Sequence, residues 1–170
     1  MHGAYLFSTN ILDSDLKGAN LESVNLTLGD IRGSDLTGVN LSRVEMQKVS
    51  IVNSRLRNAD LTFIYAPGAH FFRSDLSGAN LTTSDLTGAF LHHLMAEGAD
   101  FRSAKLSKAT LRYANLKGAD LDGVVLTHAD LRGADLSGAS IQGADLTGAT
   151  LKRAILSGTN IEGVRGLKAR

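Results

Sequence analysis

Three of the chain's five histidines, His70, His92 and His93, are the side chains best suited to ligating a metal or moving a proton near neutral pH. A metal centre needs three or four convergent N, O or S ligands. His92 and His93 are adjacent and diverge around a corner of the chain, and no neighbouring carboxylate completes a set. Surface histidines are therefore the favoured reading. Ser, His and Asp can be combined into triads on paper, but Ser and Asp recur throughout the sequence. No catalytic, metal-binding or cofactor-binding residue is assigned. Around the histidines lie Phe72, Arg73, Phe90, Arg112, Tyr113 and Arg132. Arg and aromatic side chains are enriched where proteins grip one another. The nine residues His70, Phe72, Arg73, Phe90, His92, His93, Arg112, Tyr113 and Arg132 are accordingly the candidate partner-binding set.

What positions them is a repeat. Every fifth residue from Leu6 to Ile161 gives 32 positions, of which 30 hold Leu, Ile, Phe or Met with no insertion or deletion. That stride fits neither a helical stripe nor strand alternation. Two residues before each stands a small side chain, as in Ala19-Asn20-Leu21 and Ala119-Asp120-Leu121. Asp or Asn immediately precedes the large residue in 18 of 32 repeats, and Gly follows it by two in 15 of 32. Gly at a tight corner relieves the clash a β-carbon meets at positive φ. Asp and Asn beside a turn can bond local backbone N–H groups.

Runs such as Ala129-Asp130-Leu131-Arg132-Gly133 and Ala144-Asp145-Leu146-Thr147-Gly148 resemble the pentapeptide-repeat family. The resemblance spans nearly the whole chain. It implies an all-β, right-handed quadrilateral β-helix of about eight coils, each of four pentapeptides, in one domain over 1–170. The repeats occupy about 4–163, with a short tail at 164–170. The large residue and the small one two before it point inward, and the other three point outward. Sorting the repeats modulo twenty tests this independently. The face of Leu16, Leu36 and their successors has the corner Gly in seven of eight coils, against three, two and three on the others. The face of Leu21 and its successors has Asp or Asn before the central residue in seven of eight, against three, three and five. The two small central residues, Ala66 and Ala96, follow Ile64 and Leu94, so volume is exchanged within the repeat. Coils should run through both sites, with local distortion at Pro67. Stacking at ~4.8 Å gives a rod of roughly 38 Å.

A filled rod offers no cleft in which titratable groups converge, so the sequence predicts a non-enzymatic scaffold. The formal charge is +1. By faces the charge is uneven. The Ile11 face carries Arg32, Arg73, Arg112, Arg132, Lys152 and Arg153 against Asp13, Asp30 and Asp130, or 6 − 3 = +3. The opposite Leu21 face carries Arg43 and Arg102 against Glu22, Asp60, Asp100, Asp120, Asp122 and Glu162, or 2 − 6 = −4. The aromatic candidates lie on the positive face, with Phe72, His92, Arg112 and Arg132 in one column. Phe pointing into water suggests an interface; the alternative is that coils near Pro67 turn these rings partly inward. The ladder Asn20, Asn40, Asp60, Asn80, Asp100 and Asp120 suits turn stabilisation better than cation binding.

The leading expectation is a protein partner. A second, implied only by the resemblance, is a duplex-DNA mimic that binds gyrase, as the quinolone-resistance members of the family do. Weak nucleic-acid binding by the positive face ranks third, and steep salt dependence would mark it. Open end coils predict a homodimer through one end. The family's abundance in cyanobacteria implies a bacterial source. With no signal-like N-terminus and no window long enough to span a bilayer, no membrane role and a cytoplasmic location are expected; the absence of cysteine fits the periplasm or a thylakoid lumen equally well.

Overall fold

The computed structural model describes residues 5–167. Its pairing repeats without interruption. Residues at every fifth position form single-residue parallel bridges to the residue twenty later, from Tyr5 with Asn25 to Asp145 with Arg165. Each bridge is flanked by two kinds of bond. Leu116 N–H donates to the Asp135 carbonyl one coil on (2.8 Å), and Asp135 N–H donates back to the Ala114 carbonyl (2.9 Å). The backbone of one coil is thus satisfied by its neighbours, and no extended strand is required.

Corners follow from the same stride. Two residues after each central position φ is positive at all 32 sites, 15 glycine and 17 non-glycine. The next N–H then closes the turn, as in Ala119 N–H to the Leu116 carbonyl at 3.1 Å. Leu28, Phe63 and Thr83 are held in this left-handed region despite their side chains, a strain of about 1–2 kcal/mol per residue that the surrounding coils offset.

Inside, central and small-site residues are buried from Leu21 to Leu146, including Phe71 and Phe101. Ile64 with Ala66, and Leu94 with Ala96, fill the axis at the two volume-swapped repeats. Coils run through both. Loosening near Pro67 is confined to two bonds of 3.5 Å, Ile64 N–H to the Leu61 carbonyl and Arg73 N–H to the His92 carbonyl. On the Leu16 face a chain of inward serines rewires the turn. Ser34 N–H donates to Ser54 Oγ (3.2 Å), and Ser54 Oγ donates to the Ile31 carbonyl (2.9 Å). The hydroxyl therefore bridges two groups that bond directly elsewhere. Ser14 and Ser34, and Ser54 and Ser74, repeat the arrangement. It stops where Leu94 supplies no hydroxyl, and Ser74 N–H returns to the Phe71 carbonyl (3.1 Å).

Candidate functional site

The Asp and Asn residues before the central position act on their own backbone. At seventeen of them the side-chain Oδ1 accepts the N–H two residues on. This is why the Leu21-face ladder is a stack of turn stabilisers. On the Ile11 face the same position is taken by Ser50, His70, Phe90, Thr110 and Thr150. Those coils forgo the carboxylate, and at His70 and Phe90 a ring stands in its place.

The outward rings form three contacting pairs, two tilted and one stacked. His70 lies on Phe90 with centroids 4.5 Å apart, Phe72 on His92 at 4.6 Å, and His93 on Tyr113 at 5.2 Å. Each pair is one coil apart, so coil spacing itself sets the stacking distance. Arg73 places its guanidinium over the Phe72 ring at 4.9 Å. Phe72 points outward and is half-buried between the guanidinium and His92, whereas Phe90 and Tyr113 remain 41% and 59% exposed. Burial pushes the His92 imidazole below its ordinary 6.5, and His93, Arg112 and His70 act in the same direction. Its Nδ1 is shielded from water without a hydrogen-bond partner among the described residues.

Below the rings the face becomes cationic. Arg112 Nε sits 2.5 Å from Asp130 Oδ2, and Arg132 closes on the same carboxylate through Nη2 (2.6 Å) and Nε (2.8 Å). One acid is thus shared by two guanidiniums. Two open hollows follow. The upper, of about 420 Å³, is lined by Phe90, His92, His93, Thr110, Arg112 and Tyr113. The lower, of about 220 Å³, is lined by Tyr113, Arg132, Gly133, Lys152 and Arg153. The Tyr113 ring packs over Gly133 at the edge of the lower one, where a β-carbon would stand 2.7 Å from the ring.

All nine candidate residues therefore fall in one continuous patch. The candidate set left out Thr110 and Gly133, and also Lys152 and Arg153, which entered only the charge of the face. The signal was available: Arg132 to Lys152 and Gly133 to Arg153 are single steps of twenty along columns already in view. Among the described residues no three metal-ligating side chains converge, and no helix is long and apolar enough to cross a membrane.

A family model for pentapeptide repeats matches eight copies over residues 1–38, 30–62, 68–102, 99–138 and 129–165. The chain belongs to the pentapeptide-repeat family. One solved member similar to this pentapeptide-repeat protein is HetL, involved in heterocyst differentiation regulation in the cyanobacterium Nostoc sp. strain PCC 7120. It shares 25% identity over 99% of this chain and 92% of its own, with a TM-score of 0.64. Full-length QnrB1, a plasmid-mediated fluoroquinolone resistance protein, shares 20% identity over 95% of this chain and 93% of its own, with a TM-score of 0.50. No curated protein matches the chain. Pentapeptide-repeat proteins form right-handed β-helices and act in general as structural or interaction scaffolds.

Proposed function

We propose that this pentapeptide-repeat protein is a non-enzymatic scaffold that docks a protein partner on its Ile11 face. The coil is taken as right-handed with eight turns, as 32 repeats at four per turn imply. The supporting observation is the half of that face from His70 to Arg153, where paired rings and arginines surround two hollows while the axis of the rod is filled. With side chains occupying the interior, a partner has only the outside to recognise. The likeness to HetL, a protein involved in regulation, favours a regulatory partner over a substrate.

Mimicry of DNA toward gyrase has less support. Arg102 stands inside the acidic ladder, 2.5 Å from Asp100 and 3.5 Å from Asp120, and interrupts its negative charge. The test is affinity capture from the native host with cross-linking. A protein captured by the unaltered chain and by Phe63→Ser should be lost when Phe90→Ser and Tyr113→Ala are combined. Equal capture by all three variants removes the Ile11 face from the proposal.

A further inference from the structure

The two hollows between Phe90 and Arg153 on the Ile11 face differ in chemistry and share a wall. Tyr113 lines both. The upper is bounded by rings, whereas the lower is bounded by cations. In the lower half Arg112, Arg132, Lys152 and Arg153 face the single carboxylate of Asp130, a surplus of 4 − 1 = 3 positive charges. Asp130 holds the two guanidiniums of Arg112 and Arg132. Lys152 and Arg153 have no ion-pair partner among the described residues. Two further hollows among the described residues lack this combination. The one beside Arg57 contains Glu97 and no ring, and Arg57 is closed on Asp75 at 2.5 Å. The one beside Arg32 has that guanidinium closed on Asp30 at 2.7 Å.

Resting on the docking role proposed above, we infer that the occupant is an extended acidic segment of the partner. It places an aromatic side chain in the upper hollow and carboxylates against Lys152 and Arg153 in the lower. Spacing supports this. The hollows lie two coils apart, roughly 10 Å at strand-like stacking, and side chains on one side of an extended chain recur every ~6.8 Å. Carboxylates two and four residues from the aromatic therefore bracket the lower hollow. Recognition comes from side chains, because the backbone under this face is committed to neighbouring coils: Leu111 N–H bonds the Asp130 carbonyl and Leu131 N–H bonds the Thr150 carbonyl. Guanidinium and ammonium donors with no acid of their own form charge-assisted bonds to an incoming carboxylate. A nucleic acid is the less fitting polyanion. The surplus is confined to a few coils, while Asp13 and Asp30 oppose a phosphate track at the other end of the same face.

The experiment is fluorescence anisotropy with a short labelled peptide carrying Phe, Glu and Glu at alternate positions, in both chain directions. Its controls are the same peptide with Gln for Glu, the same with Ala for Phe, and a labelled DNA duplex. The Glu peptide should bind at least about tenfold tighter than the Gln peptide. Lys152→Glu with Arg153→Glu should remove at least about tenfold of that affinity, while Arg43→Glu on the opposite face should change it less than about twofold. Thermal melts of each variant check that the rod is intact. Equal binding of Glu and Gln peptides overturns the inference, as does tighter binding of the duplex at the same salt that is lost in the double reversal. If no peptide binds while partner capture still depends on Phe90 and Tyr113, the acidic occupant is wrong and the docking role stands. If the peptide binds as expected while capture ignores those residues, the hollows bind acidic segments and the native partner docks elsewhere.

Discussion

The Leu21 face and the half of the Ile11 face from His70 to Arg153 share a backbone and differ in what their outward side chains do. On the Leu21 face the polar groups largely serve one another. Thr62 and Thr82 hydroxyls close on Asp60 and Asn80, and Asp122 accepts from Gln142 N–H as well as from the Ser140 hydroxyl. On the Ile11 face His70, Phe90 and Thr110 stand where Asp or Asn would accept a turn N–H. Each exchange forgoes about 0.5–1.5 kcal/mol of net hydrogen bonding. In return the face gains rings at coil spacing and cations without acids. Departure from the repeat, more than the repeat itself, distinguishes the surface proposed above for docking.

That contrast requires an interior common to both faces, so the largest effect should come from the axis. Phe101→Ala is expected to cost about 3–5 kcal/mol in denaturant unfolding and to lower the protection of both faces in hydrogen exchange. A loss confined to one face would mean that the two are not one packed body. Removing a working turn acceptor comes next. Asp100→Ala deletes the bond to Arg102 N–H and the ion pair with its guanidinium, and should cost about 1–2 kcal/mol.

The converse change sharpens the comparison. Thr110→Asp restores an acceptor for Arg112 N–H and should raise stability by about 1 kcal/mol in the same unfolding assay. A fall would show that the aromatic-basic coils gave up nothing by losing it. Ser84 tests the interior from another side. Its hydroxyl is buried without a partner among the described residues, so Ser84→Ala should leave stability unchanged or raise it by up to about 1 kcal/mol.

Acid gives the smallest effects. The Thr37 hydroxyl bond holds Asp35 down at about 2, the Arg102 guanidinium lowers Asp100, and the Ser137 hydroxyl lowers Asp135. Below the ordinary 3.8 the unfolded chain binds more protons than the folded one, so this contribution is present above 3.8 and fades as pH falls toward 2. His92 is also depressed, and its share fades earlier, as pH drops below 6.5. Melting temperature measured against pH should therefore lose its first step in His92→Phe and keep the second.

The stride of large residues was legible because burial along one axis tolerates little substitution, and Ala66 and Ala96 were legible because their neighbours carry the missing volume. The left-handed corners were less so. Gly18 or Gly138 announces one, but Thr83 and Phe63 do not, and only the register imposed by neighbouring coils holds them there. The serine bridges were invisible for a related reason. Ser34 and Ser54 read as small inward residues, and which carbonyl a hydroxyl reaches depends on the coil beneath it. The ring and arginine columns could be listed by counting in twenties. Tyr113 packing over Gly133 beside the lower hollow could not.

The sequence alone determined the period, the inward set, the corners that glycine marks and the face that is both aromatic and basic. Each depends on a residue's type and its place in the count. Only the tertiary structure decided which acid neutralises which cation, which rings touch, and where a missing side chain leaves space. Those outcomes depend on the directions side chains take toward neighbours twenty residues away, where several partners compete for one contact.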